Sequence, residues 1–144
     1  MSRLITYFIL FGLIVFFALI LIRNLFPSER ERVLRLIEKG RKAVEDEDIT
    51  RIASLIDKDY YDAWGHDYQR LVKFLRNNFR IYDDIKVFVP FRKVVFEYPF
   101  AQCSLIVRVR GRSVVDGEDL IYASPLILFL IKENKRWFIT AALQ

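Results

Sequence analysis

The sequence is poor in the residues that build disulfides, metal sites and phosphate-binding loops. Among its 144 residues there is one cysteine, Cys103, and one histidine, His66. A lone cysteine cannot form an intrachain disulfide, and one His with one Cys falls short of the three or four ligands of a zinc site. The five glycines are scattered, so there is neither a Gly-rich phosphate loop nor a nucleophile elbow. We therefore predict no metal and no cofactor.

Charged residues are almost absent from the first 28 positions, which contain only Arg3 and Arg23. In the rest of the chain, basic and acidic residues are nearly balanced. Nucleic-acid-binding proteins concentrate Lys and Arg with few compensating acids, so we predict no nucleic-acid partner. Gln and Asn are scarce while Glu, Lys and Arg are abundant, a bias that is typical of proteins from thermophiles.

An uninterrupted apolar run occupies residues 4–22. A helix of this length spans roughly the 30 Å hydrocarbon core of a bilayer, and the run is apolar on every face. A cleaved signal peptide would need a shorter apolar centre and an Ala-x-Ala-like site, which residues 23–27 lack. We therefore predict a transmembrane helix at 4–22, a linker at 23–28, and a single-pass protein anchored in the lipid bilayer, with the bacterial inner membrane as its location.

The orientation of the predicted helix is left open by its flanking charges. Arg3 and the terminal amine lie on one side, whereas Arg23, Arg30, Arg32 and Arg35 lie on the other. The positive-inside rule, applied by counting, keeps the body of the chain in the cytoplasm. A two-residue tail, however, usually stays inside, and compact domains translocate despite such charges. Of the two, we favour an extracytoplasmic body.

The first half of the body has helical periodicity. Ser28 and Glu31 form a capping box, and apolar residues recur at helical spacing from Val33 to Val44. Asp48 is placed to cap a shorter second helix, and Asp67 a third whose apolar positions run from Tyr68 to Tyr82. We predict three helices here.

From Ile85 the apolar period becomes that of strands. Pro90 predicts an edge strand or a bulge, because proline cannot donate to a ladder. Residues 120–132 are apolar on both faces, as in a central strand. The four predicted strands are residues 85–96, 101–110, 120–132 and 137–141. Helices followed by strands indicate an α+β domain over residues 29–144.

The beginning and the end of the body resemble the nuclear transport factor two-like superfamily, also called SnoaL-like. Residues 43–49 and 55–60 are similar to its helix-break-helix opening, and residues 133–139 are similar to its last hairpin, where a polar turn precedes a tryptophan. The resemblance runs from about Glu29 to Gln144. It implies a cystatin-like cone, in which a curved antiparallel sheet wraps around the long helix and leaves an apolar pocket. The superfamily contains isomerases, dehydratases and hydrolases as well as members without chemistry.

The strand positions that we expect to point into such a pocket carry no group suited to proton transfer at neutral pH. They are Cys103, Leu105, Val107, Leu126, Leu128 and Leu130. With three aromatic residues from the connecting segments, the predicted pocket lining is Tyr60, Trp64, Tyr82, Cys103, Leu105, Val107 and Leu128.

The best catalytic candidates are His66 and Asp67, since a histidine beside a carboxylate can act as an oriented base. The simpler interpretation is that Asp67 caps a helix and His66 lies in an exposed turn.

Basic residues on the strands also have two interpretations, either contact with anionic lipid headgroups or a solvated sheet face. These are Lys86, Arg92, Lys93, Arg108, Arg110 and Arg112.

Two functions follow from these features. The first is a membrane-anchored, non-enzymatic module that binds a protein partner, a second copy of itself or a small apolar ligand. The second is a small-molecule isomerase, dehydratase or hydrolase of the SnoaL-like type, with His66 or Asp67 as base and Tyr60 or Tyr82 as hydrogen-bond donor.

Overall fold

The computed structural model describes residues 2–144. The side chains of residues 1–4, which include Arg3 of the orientation argument and Leu4 of the predicted span, lie outside the described part. The chain divides into two compact units, Met1–Arg32 and Val33–Gln144.

The first unit contains a long N-terminal helix, α1, at Ser2–Leu25. Its segment Ile5–Leu25 has 21 residues, of which Arg23 is the one charged residue and none is buried, so it is long and apolar enough to cross a membrane. A signal sequence near an N-terminus has the same character. After Pro27, the Ser28 hydroxyl accepts a hydrogen bond of 3.2 Å from the Glu31 N–H, as the capping-box pattern predicts.

Three further helices follow: α2 at Glu29–Glu45, α3 at Ile49–Leu55 and α4 at Tyr68–Ile81. The carboxylates of Asp48 and Asp67 accept hydrogen bonds from the N–H groups of Arg51 and Arg70, so each aspartate is an N-cap. Each of the three helices begins at a capping side chain, and each has the apolar periodicity that its sequence predicts.

The second half is one antiparallel sheet of four strands in the order β1-β2-β3-β4. The register between β1 and β2 shifts from Phe88 to Phe91, which makes a bulge at Pro90 on the edge strand. Asn134 and Lys135 join β3 to β4 with positive φ angles of 48° and 65°, the geometry of a two-residue hairpin turn. The strands are β1 at Tyr82–Glu97, β2 at Phe100–Ser113, β3 at Asp119–Glu133 and β4 at Arg136–Leu143.

The free edge of β4 is partly covered by the segment between α3 and α4. The N–H groups of Asp57, Tyr61 and Ala63 donate to carbonyls of β4, at 2.8 Å, 3.2 Å and 3.1 Å. A parallel bridge joins Ile56 to Ile139. These hydrogen bonds and the bridge attach the segment to β4 and fix the loop that follows it.

The core of the second unit lies where α2 and α3 cover one face of the sheet. Val33, Leu36 and Ile37 of α2 pack with Leu55 of α3 against the inward side chains of the strands. The sheet contributes Ala101, Cys103, Leu105, Leu130 and Trp137. The predicted α+β class is thereby confirmed.

Each strand is longer than its predicted range, and α4 is less buried than its periodicity indicates. Its sequence is strongly amphipathic, yet none of its residues is fully buried. Apolar periodicity reports that a helix has two chemically different faces, but it does not measure how completely one of them is covered.

Replacing Leu130 with alanine should lower the free energy of unfolding by about 2–5 kcal/mol, because Leu130 is fully buried and alanine leaves a cavity. Ile121→Ala on the same strand is the matched control, since Ile121 is 78% exposed and should change the free energy by less than about 1 kcal/mol. Urea unfolding in a mild detergent measures both. Equal losses would show that the core does not lie on this face.

Candidate functional site

An apolar cavity of about 160 Å³ lies between α2 and the sheet. Arg41 is its one charged lining residue. Ligand pockets for drug-sized molecules are about 300–1,000 Å³, so this cavity has room only for a small apolar group. Its other lining residues are Leu36, Ile37, Gly40, Val87, Val89, Leu105, Val107, Leu128 and Ile139.

Arg41 is held by two carboxylates of its own helix. Its Nη2 lies 2.7 Å from Oε1 of Glu38, and its Nη1 lies 2.8 Å from Oε1 of Glu45. The hydrogen bond to Glu38 raises the pKa of Arg41 above its usual value and lowers that of Glu38. Glu45 also accepts a hydrogen bond from the Val87 N–H at 2.9 Å. The guanidinium at the cavity is therefore permanently charged and cannot exchange a proton.

The predicted pocket residues do not form one lining. Leu105, Val107 and Leu128 line the cavity. Cys103 is fully buried in the core, where desolvation raises the pKa of its thiol to about 11. Tyr60, Trp64 and Tyr82 do not line this cavity. Trp64 is half exposed and Tyr82 is the C-cap of α4.

A carboxylate that the sequence interpretation passed over, Asp62, is the most deeply buried acid in the described residues, with 3% of its surface exposed. Its Oδ1 accepts the N–H groups of Trp64 and His66, both at 2.9 Å. Its Oδ2 accepts the Tyr60 hydroxyl at 3.0 Å and lies 3.0 Å from Nδ1 of His66. Both oxygens are thus fully used, and the carboxylate stabilises the loop between α3 and α4.

Opposing effects set the pKa of Asp62. Burial alone would raise it, but hydrogen bonds from His66, Tyr60 and Trp64 together outweigh burial and hold it below the usual value. The pKa of Tyr60 moves upward, first because the phenol is buried and then because it lies beside the Asp62 charge. Tyr60 therefore stays protonated and acts as a donor.

His66 pairs with Asp62 and not with Asp67, its neighbour in sequence. The Asp67 carboxylate is occupied as the cap of α4. The imidazole of His66 also lies against the ring of Phe74, with 5.0 Å between centroids. A quarter of the His66 side chain is exposed. Oriented by Asp62 through Nδ1, the ring can present Nε2 to a proton donor or acceptor.

The sequence does contain a signal for the turn that positions Asp62. Asp at the first position and Gly at the fourth favour a β-turn, and here the Gly65 N–H donates to the Asp62 carbonyl at 3.2 Å, with a φ of 83° at Gly65. The Asp62 N–H donates in turn to the His66 carbonyl at 3.0 Å. This closed loop brings residues 62 and 66 together although neither lies on a helix.

A larger open groove, of about 850 Å³, lies between α3, α4 and the β3–β4 turn. Its apolar floor includes Ile49, Ile56 and Phe138. Its charged lining residues are Asp57, Lys58, Asp59, Arg76 and Glu133. No histidine or cysteine lines it. Among the described residues, no group of three or more His, Cys, Asp or Glu side chains is placed to hold a metal ion.

The basic residues of the sheet separate into two faces. Arg108 lies opposite Phe88 and Arg110 opposite Lys86, so these four share the face that points away from α2. Arg92 lies opposite Leu105 on the inner face, 3.5 Å from Glu38. The predicted basic set therefore loses Arg92, because the bulge before Phe91 shifts the alternation of β1.

Known structures share this fold. A candidate scytalone dehydratase from Novosphingobium aromaticivorans aligns with a TM-score of 0.74 at 13% identity, over 79% of this chain and 80% of that one. A nuclear transport factor 2-like superfamily protein from Salmonella enterica aligns with a TM-score of 0.71 at 11% identity, over 78% and 86%. The chain has the nuclear transport factor two-like, cystatin-like fold.

A third neighbour, Bd1075 of Bdellovibrio bacteriovorus, aligns with a TM-score of 0.69 at 18% identity. The alignment covers 79% of this chain but 40% of Bd1075, so this chain corresponds to less than half of that protein. No protein-family model and no curated protein sequence matches the chain. At these identities the likeness establishes the fold alone.

Asp62→Asn should lower the free energy of unfolding at pH 7 by about 1.5–3 kcal/mol, since it removes the charge that accepts these hydrogen bonds. Because the pKa of Asp62 is lowered by folding, this stabilisation is present above the unfolded-state pKa of about 3.9 and is lost as pH falls below it. The difference between wild type and variant should therefore shrink below about pH 4. Urea unfolding from pH 7 to pH 3, with exposed Asp59→Asn as control, tests this, and a constant difference would contradict it.

Proposed function

We propose that the chain is a membrane-anchored binding module in which α1 spans the lipid bilayer and the body acts without catalysing a reaction. The observation that carries this proposal is the 21-residue segment Ile5–Leu25, which is apolar almost throughout, has Arg23 as its one charged residue and contains no buried residue. Exposed Phe, Leu and Ile side chains along a whole helix are costly in water and favourable in hydrocarbon.

The anchor would hold the body beside the membrane. Only Phe26, Pro27 and Ser28 separate α1 from α2, and a link this short spans little more than about 10 Å even when fully extended. The body would therefore meet partners at the lipid surface, on the extracytoplasmic side of a bacterial inner membrane. Its function would depend on this localisation.

The absence of proton-transfer groups in the cavity supports a binding role. The cavity is apolar apart from Arg41, which is held in its charged form by Glu38 and Glu45. The open groove beside α3 and α4 combines an apolar floor with charged rims of both signs. Such a surface suits a protein segment better than a small substrate, because it offers area without enclosure.

The full-length chain, expressed in a bacterium, should remain in the membrane fraction after alkaline carbonate washing and should have the mass of the complete sequence. A variant that lacks residues 2–25 should be released, because it has lost the apolar helix. A C-terminal alkaline phosphatase fusion should be active, as an extracytoplasmic body requires.

Different failures have different meanings in this experiment. A soluble mature chain that begins after residue 23 would identify α1 as a signal sequence and remove the anchor. An inactive phosphatase fusion on a carbonate-resistant chain would reverse only the orientation.

The second candidate function is a small-molecule enzyme, and one observation favours it. Asp62 orients His66 as it would a general base, and Tyr60 supplies a phenol on the same carboxylate. One structural neighbour is described as a candidate scytalone dehydratase. Against this candidate, neither the cavity nor the large groove is lined by His66 or Asp62.

Replacement of His66 with glutamine separates the two functions. A binding module should complement a deletion strain fully with this variant at equal protein level, whereas loss of a general base should cost about 10²–10⁴-fold in rate. Asp67→Asn is the matched control, since asparagine can keep the α4 cap and the Asp62–His66 pair is left in place. Failure of His66→Gln beside success of Asp67→Asn would favour the enzyme.

A further inference from the structure

Helix α4 has two faces that differ in burial as well as in chemistry. Its half-buried face is apolar and includes Leu71, Val72 and Leu75. The opposite face is exposed and carries residues at helical spacing of three and four. We call this exposed face the α4 stripe; it consists of Arg70, Lys73, Phe74, Asn77, Arg80 and Ile81.

The α4 stripe has three cations and no acid. Across the described part of the chain, none of the three forms an ion pair with a carboxylate; Arg70 reaches only the Gly65 carbonyl, at 3.3 Å. Lys73 and Arg80 line, together with Arg76, a shallow hollow of about 410 Å³ on the side of the helix. Three positive charges therefore converge on one depression, which favours an anion there.

Exposed apolar side chains accompany these cations. Phe74 is 48% exposed and Ile81 is 43% exposed. The Phe74 ring lies against the His66 ring, with 5.0 Å between centroids. The stripe therefore combines cations with apolar side chains, the two kinds of group that an interfacial helix presents to lipid.

The acids near α4 lie elsewhere. The Asp67 carboxylate is occupied as the N-cap, and Asp83 and Asp84 follow the end of the helix. Asp57, Asp59 and Glu133 line the groove on the side of Tyr68 and Val72, away from the stripe. The stripe itself thus carries three cations, no acid and two exposed apolar side chains.

We propose that the α4 stripe docks on anionic lipid headgroups at the membrane surface. Basic amphipathic helices lie in the interface plane, with cations at the phosphates and apolar side chains at the acyl boundary. This inference rests on the proposed anchoring of the chain, which would place the body beside lipid. A convex helix face without a deep pocket fits a deformable lipid surface better than a rigid protein.

The test uses the full-length chain in vesicles of phosphatidylcholine, with or without about 30 mol% phosphatidylglycerol. A bimane label is attached at Asn77→Cys, a neutral stripe position; Cys103 is fully buried and stays unlabelled. In anionic vesicles the emission should shift to the blue and be quenched by brominated acyl chains. It should stay unquenched in neutral vesicles, and about 0.5 M salt should reverse the effect by screening.

Neutralising the stripe gives the decisive comparison. The triple variant Arg70→Gln, Lys73→Gln and Arg80→Gln should weaken association of the labelled face with anionic lipid by about a hundredfold, since each cation contributes a factor of about five. The matched control neutralises three exposed cations of the outer sheet face, Lys86, Lys93 and Arg108, and should retain quenching.

The outcomes separate this inference from the anchor. Carbonate extraction of the same vesicles reports on α1 alone. A carbonate-resistant chain whose label remains in water on anionic vesicles would overturn the stripe proposal and leave the anchor standing. Equal losses in the two triple variants would also overturn it, because total charge would then be responsible. If added polyglutamate shifts the bimane emission to the blue and anionic lipid does not, the stripe would instead bind an acidic protein, which would overturn the proposal.

Discussion

The whole second unit depends on covering one apolar face of a four-stranded antiparallel sheet. Each strand presents alternate side chains to that face, and water must be excluded from them. Helix α2 provides the cover through Val33, Leu36 and Ile37, which pack against Cys103, Leu105 and Leu130. The small apolar cavity lies between α2 and the sheet. The segment after α3 then lies along β4, to which it is hydrogen-bonded.

The helices and strands could be predicted because their signals are local. The change from helical to alternating periodicity near Ile85 falls close to the true end of α4 at Ile81, and Asp48 and Asp67 mark two helix starts by a mechanism that acts over three residues. Pro90 predicted an edge strand or a bulge, because proline has no N–H to donate to a ladder, and β1 shows both features.

The candidate site could not be predicted in the same way, because its contacts depend on backbone geometry outside regular elements. Sequence adjacency placed His66 beside Asp67, whereas the turn at Gly65 folds His66 back onto Asp62. Leu105, Val107 and Leu128 line one cavity, because strand alternation puts them on the same face of the sheet. For Tyr60, Trp64 and Tyr82 the sequence supplied no comparable rule.

The edge strand β1 has one further consequence. At Val87 its outward N–H and C=O are engaged by Glu45 and Arg41 of α2, and three residues later Pro90 offers no donor at all. An incoming strand would find two consecutive pairing positions closed. In the membrane-anchored chain that we propose, such an edge would keep neighbouring copies from joining their sheets edge to edge when they meet at high local density in the bilayer.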